Sequence, residues 1–174
     1  MKTILAINGS ASKDSSNLRL LRHFAEQTAH EVRTIIIEDL KSLPPFDPEL
    51  SAENPPASIL AFREQIEKAD GILICTPEYV FSIPSCLKNA LEWCVATTLF
   101  AGKTTALITA SASGAKGHEE LQLILRTVEA DLHDETNLLI RGIRGKVSET
   151  GVITDMDTLR SIEVLTSAFL KHLQ

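Results

Sequence analysis

Four serines and an asparagine, Ser10, Ser12, Ser15, Ser16 and Asn17, fall within residues 10–17, directly after a short apolar run and at the start of an amphipathic stretch. A strand that enters a hydroxyl-rich turn at a helix N-terminus supplies free backbone N–H groups, hydroxyl donors and the positive end of the helix dipole, a set that suits a phosphate monoester. Lys13 adds a positive charge. The same residue types lead the ranking of helix caps, so Ser15, Ser16 or Asn17 could also do no more than cap the helix that continues through Leu18. One cap does not use five such side chains. Gly9 is the only glycine of the segment, which excludes both the three-glycine dinucleotide fingerprint and the Gly-x4-Gly-Lys-Ser/Thr triphosphate loop. A mononucleotide fits better than a dinucleotide or ATP.

Two further segments could line a flat ligand. In Thr76-Pro77-Glu78-Tyr79-Val80-Phe81-Ser82-Ile83-Pro84, Pro77 stiffens a turn, Pro84 stands at an expected helix start, and the sole tyrosine of the chain lies between them. Tyr79 is expected as an exposed aromatic beside the ligand, and Glu78 is given no proton-transfer role. The second segment, residues 110–118, reads Ala-Ser-Ala-Ser-Gly-Ala-Lys-Gly-His, and its glycines permit close approach by a planar ring. His118 could donate a hydrogen bond or titrate near neutrality, or serve as a surface residue or cap. The other histidines, His23, His30, His133 and His172, are scattered and suggest no metal site. Cys75, Cys86 and Cys94 lack C-x-x-C spacing and read as buried thiols.

Short β-branched runs alternate with longer amphipathic stretches along the chain, the signature of repeated βα units and a parallel sheet. Strands are expected at 3–7, 32–37, 71–75, 104–109 and 137–140. Helices are expected at 16–28, 58–68, 84–96, 119–132 and 158–172. Most strand runs are continuously apolar, as strands covered on both faces should be. If the strand order is 2-1-3-4-5, the ligand crevice opens at the carboxyl ends of the strands, between strands one and three. The long connection at 41–57 carries five prolines, which argue against regular structure there; it is either a lid or interface element or an ordinary surface crossover.

With 174 residues and 44% hydrophobic content, the chain has material for one core, so residues 1–174 are expected to form one domain. A net charge of −6 with no basic stripe argues against nucleic acid and lipid headgroups as partners. The N-terminal apolar run is far shorter than a signal sequence or membrane span, and the protein is expected in the cytoplasm.

These motifs resemble those of the NADPH-dependent FMN reductase family, the small flavodoxin-like quinone, azo-dye and FMN reductases, over most of the chain. The family's Gly-Ser-x-Arg-x-x-Ser-x-Asn is similar to Gly9-Ser10 through Ser15 and Asn17, with Ser12 where many members carry arginine. Its Pro-Glu-Tyr and Ile-Pro-x-x-Leu-Lys-Asn-Ala are matched by Pro77-Glu78-Tyr79 and by Ile83 through Ala90, with Val80 where asparagine or histidine is common. Segment 111–117 and the proline-rich 43–50 resemble two more family elements. The resemblance implies an α/β, flavodoxin-like three-layer sandwich with a five-stranded parallel sheet of order 2-1-3-4-5.

It also implies that Ser10, Ser12, Ser15, Ser16, Asn17 and Leu18 hold the phosphate of FMN. Thr76, Pro77, Glu78 and Tyr79 would line the isoalloxazine, with backbone N–H groups near its reactive nitrogen, and Ser111, Ser113, Gly114 and Gly117 would flank its other edge. The expected activity is hydride transfer from NADPH or NADH to FMN and on to a small acceptor, a flavin, quinone, azo compound or metal ion. No side chain is expected as a covalent catalyst, and no metal ligands are expected. A flavodoxin-type electron carrier is the main competitor, but the flavin loops hold Tyr79 and Phe81 and no tryptophan to cover the ring. A flavin-free regulatory protein is a third class, and a phosphatase lacks the arginine six residues after a cysteine. Leu87, Leu91 and Cys94 on one face of the third helix, with Cys86, Trp93 and Phe100 elsewhere, exceed what one core is expected to absorb, which together with the resemblance suggests a homodimer, or a homotetramer.

Overall fold

The computed structural model describes residues 1–148 and 150–173. Its elements are β1 (Lys2–Asn8), α1 (Ser16–Gln27), β2 (Val32–Ile37), α2 (Pro48–Glu53), α3 (Ala57–Lys68), β3 (Gly71–Thr76), α4 (Ser85–Glu92), β4 (Thr104–Ser111), α5 (Ala115–Thr127), β5 (Asp131–Arg141), a 3-10 turn (Ile143–Gly145) and α6 (Met156–His172). All strand pairs are parallel, and the order is β2-β1-β3-β4-β5.

Alternation along the strands sends side chains into two separate cores. Ile4, Ala6, Leu73, Cys75, Ala106 and Ile108 pack with Leu20, Leu21 and Phe24 of α1 and Ile162, Leu165 and Phe169 of α6. Leu5, Ile7, Ile72, Ile74 and Leu107 pack on the other side with Phe62, Ile66, Leu87, Leu91, Leu121 and Leu125 of α3, α4 and α5. All six residues of β3 are buried, as the continuously apolar run requires of a central strand. The layers are thus helix, sheet, helix.

Four expectations change. β5 begins at Asp131, not 137, and α5 ends at Thr127, because β5 carries an irregularity that shifts its register against β4 between Thr105 and Leu107. The polar His133, Asp134 and Glu135 of that stretch interrupt the apolar run. The proline-rich connection holds one regular element, α2, which Asp47 caps through Glu49 N–H and which Pro48 starts with its fixed φ. Phe46 N–H donates to Asn89 Oδ1 at 2.7 Å, while Asn89 Nδ2 and Trp93 Nε1 both donate to the Pro44 carbonyl. It is therefore a pinned surface crossover and not a lid.

The helix expected at 84–96 is regular only over α4; beyond it the chain continues in tighter i to i+3 turns, through Cys94 N–H to Leu91, Val95 N–H to Glu92 and Thr97 N–H to Cys94. Leu87, Leu91, Trp93, Cys94 and Phe100 are all buried within this one chain, so the expected surplus of apolar surface does not exist. The tryptophan instead fills the space beneath the crossover, with Phe46 edge-on at 5.4 Å.

Candidate functional site

The loop after β1 is organised by the strand's last residue, Asn8. Asn8 is fully buried; its Oδ1 accepts from Ser10 N–H and from the Ser15 hydroxyl, and its Nδ2 donates to the Glu38 carbonyl beyond β2. Gly9 N–H continues the ladder onto the Cys75 carbonyl at 2.9 Å, and a Cβ there would stand 2.5 Å from Thr76 Oγ1. Only glycine lets the loop lie that close to the end of β3.

The members of the serine-rich segment divide into committed side chains and unpartnered ones. Ser15 is the cap: its Oγ accepts from Leu18 N–H at 3.1 Å. Asn17 is buried with its Nδ2 on the Ala110 carbonyl and its Oδ1 accepting from the Cys75 thiol, so its side chain ties α1 to the ends of β3 and β4. Ser12 and Ser16 keep their hydroxyls without a hydrogen-bond partner among the described residues, and so do the N–H groups of Ser16 and Asn17 in the first turn of α1. Ser10 Oγ meets the Tyr79 hydroxyl at 3.3 Å.

These groups open onto a cavity of about 570 Å³. Of the expected residues, Ser10, Ser12, Ser15, Ser16, Asn17, Pro77, Glu78, Tyr79 and Ser111 line it. Leu18, Thr76, Ser113, Gly114 and Gly117 do not. Leu18 points into the core, and Thr76 is buried with its hydroxyl on the Pro77 carbonyl. Gly114 begins α5 at φ +84, and a Cβ on Gly117 would stand 3.3 Å from the Ser82 carbonyl. The two glycines thus serve helix packing more than approach by a ring.

Glu78 explains why. Its carboxylate accepts Gly114 N–H at 3.2 Å and Gly117 N–H at 2.9 Å, occupying the N-terminus of α5 where the helix dipole favours negative charge. Glu120 answers from α5, accepting from Ser82 Oγ at 2.6 Å and Ile83 N–H at 3.0 Å. Between these braces residues 79–82 form a two-residue hairpin, with Tyr79 and Ser82 exchanging both backbone hydrogen bonds and Val80 and Phe81 at φ +52 and +60. The hairpin holds Tyr79 40% exposed at the cavity wall.

The part of the cavity missed from sequence is the loop after β5: Gly142, Ile143 and Arg144. In a parallel sheet every strand's carboxyl end faces the same side, and that rule, with a glycine directly after the last apolar run, was the available signal. Arg144 is the sole basic residue among those lining the cavity. Two carboxylates accompany it. Asp14 is paired with Arg19 at 2.7 Å, which holds its carboxyl below the usual range, and Glu78 is committed to α5.

His118 is off the cavity, half-buried between Thr109 Oγ1 and Gln122, and burial lowers its pKa. Cys75 and Cys94 are the buried thiols expected, while Cys86 is only partly buried; burial pushes Cys94 up to about 12 and raises Cys75 and Cys86 as well. Among the described residues no cluster of His, Cys, Asp or Glu could hold a metal ion, and no helix is long and apolar enough to cross a membrane.

Residues 2–134 match the model of the NADPH-dependent FMN reductase family. The chain belongs to that family. It is 29% identical over 178 residues to a quinone reductase of Escherichia coli K12, covering 98% of this chain and 95% of the relative. An NADPH:quinone oxidoreductase of Arabidopsis thaliana is 34% identical over 134 residues, 75% of this chain and 68% of that one. The solved structure of FerB, a flavoenzyme NAD(P)H:(acceptor) oxidoreductase from Paracoccus denitrificans, superposes with a TM-score of 0.86 at 26% identity, over 99% of this chain and 97% of FerB. In this family the site's donor set has a natural ligand: unpartnered hydroxyls and N–H groups at a helix start, beside a wall of Pro77, Tyr79, Ala110 and Ala112, fit the phosphate and planar ring of FMN.

Proposed function

We propose that this chain is an FMN-dependent NAD(P)H oxidoreductase that reduces a small acceptor of the quinone class. The observation that carries this reading is the meeting, on one cavity, of the unpartnered donors at the start of α1 and the braced Tyr79 hairpin after β3. FMN, when bound, takes a hydride from a nicotinamide and passes the electrons to the acceptor. The hydroxyls of Ser12 and Ser16 with the N–H groups of Ser16 and Asn17 would hold its phosphate, and Pro77, Tyr79 and Ser111 would position the ring. Glu78 does not serve as proton donor, because both carboxylate oxygens accept from α5. Tyr79 is the only aromatic on the cavity, and Trp93 is buried beneath the crossover, so one ring face stays open to nicotinamide and acceptor in turn, as ping-pong turnover requires. This favours a reductase over a one-electron carrier.

The working form we infer is a cytoplasmic homodimer of one-domain chains, on the family resemblance. The exposed apolar surface nearest the cavity is Val80 and Phe81, 94% and 76% exposed. Sedimentation at working concentration tests the assembly, and a monomer would refute it. The function is tested by anaerobic spectroscopy of protein reconstituted with FMN: bleaching by NADPH or NADH and recovery on adding a quinone are expected. Flavin that binds yet resists both nicotinamides would move the protein to the electron carriers, and no flavin binding would end the reading.

A further inference from the structure

We infer that Arg144, carried by the loop after β5, binds the phosphate monoester of FMN and provides the cation that the loop after β1 does not place on the cavity. This rests on the FMN reading above. Ser12, Ser16 and the first N–H groups of α1 supply neutral donors and a helix dipole, and in a cavity that also contains two carboxylates a full positive charge strengthens the hold on a phosphate dianion. Arg144 is the single cationic residue on that cavity, and it makes no ion pair among the described residues. A guanidinium offers a planar fork of donors matched to phosphate oxygens, which a solvated lysine such as Lys13 does not.

The position is built and not incidental. Gly142 takes φ +65 and donates its N–H to the Ala112 carbonyl at 3.2 Å, Ile143 is buried in the core beneath the turn, and Gly145 and Lys146 close back onto Gly142 and Ile143. Arg19 then joins this segment to the phosphate loop, donating to the Ser148 carbonyl at 2.9 Å while it pairs with Asp14. The arginine-bearing turn and the start of α1 are therefore held in one frame before any ligand arrives.

The experiment compares FMN and riboflavin affinities, by flavin fluorescence titration, for wild type, R144Q and R144K. R144Q is expected to weaken FMN about tenfold to a hundredfold, with riboflavin unchanged and R144K in between. Because Arg144 is exposed, both variants should keep the wild-type denaturation midpoint. Unchanged FMN affinity in R144Q would overturn the inference, as would equal losses for FMN and riboflavin, which would mean packing and not phosphate. A defect confined to NADPH relative to NADH, with FMN affinity intact, would overturn it too by assigning Arg144 to the nucleotide's 2′-phosphate. Failure of the wild type itself to bind FMN would overturn both this and the reading beneath it.

Discussion

Replacing Val80 by asparagine should make the protein more stable. Val80 stands at φ +52, in the left-handed region that a β-branched side chain avoids, and strain of this kind is worth roughly 1–3 kcal/mol per residue. Its side chain is 94% exposed, so little packing is lost on substitution, and the backbone hydrogen bonds that fix the turn belong to Tyr79 and Ser82. Asparagine tolerates the left-handed region, and V80N should recover about 1 kcal/mol. Glycine should relieve the strain in full and forfeit about 0.5–1 kcal/mol through the greater freedom of the unfolded chain. A gain of 1 kcal/mol corresponds to roughly 2–4 °C in melting temperature for a chain of this size. Urea unfolding of wild type, V80N, V80G and V80T, with the midpoint rising at constant slope for the first two and not the third, is the expected pattern. Equal midpoints for wild type, V80N and V80G would show that the turn stores no strain, and the reasoning would fall.

Glu78→Ala removes the acceptor of two N–H groups at the start of α5 and should lower stability by about 2–3 kcal/mol, with Glu78→Gln retaining part, measured by chemical denaturation. Asn89→Ala frees Phe46 N–H and leaves the Pro44 carbonyl with Trp93 Nε1 as its one donor; faster amide exchange at Phe46 and earlier proteolysis at 44–56 are expected, with a loss of roughly 1–2 kcal/mol. His118 has its pKa lowered by burial, so the unfolded chain binds the proton more readily. Its contribution to stability is present above the unfolded value of about 6.5 and is lost as pH falls through the folded one. His118→Gln should flatten the stability–pH curve below that point, and an unchanged slope would count against the assignment.

The strands and both helix layers were legible because continuous apolar runs and 3.6-residue periodicity report burial directly, as in β3 and α6; the sheet order was legible only through the family resemblance. The turns were not. Val80 and Phe81 oppose the residue preferences of the hairpin they occupy, and the polar residues of the β5 irregularity hid the first half of that strand. At the site, the serine-rich loop and Tyr79 were visible as residue types. What Ser15, Asn17 and Glu78 do was not, since each is committed to a partner at least three positions away, and up to 93 away for Asn17. Arg144 lay outside every matched motif, in a loop whose relation to the cavity comes only from the parallel sheet.

The sheet topology sets an order of events during synthesis. β1 leaves the ribosome before the other four strands yet ends in the sheet's interior, where Ile4 pairs with Thr34 on one side and with Gly71 on the other. One flank of the first strand therefore waits unpaired for some seventy residues, several seconds at ordinary elongation rates of about 5–20 residues per second. The cavity waits longer still, because its last wall is residues 142–144. Flavin can only meet a chain already made through those residues, and a nascent chain stalled before β3 or before β5 would expose the apolar edge of β1 or β4 to whatever chaperones are at hand.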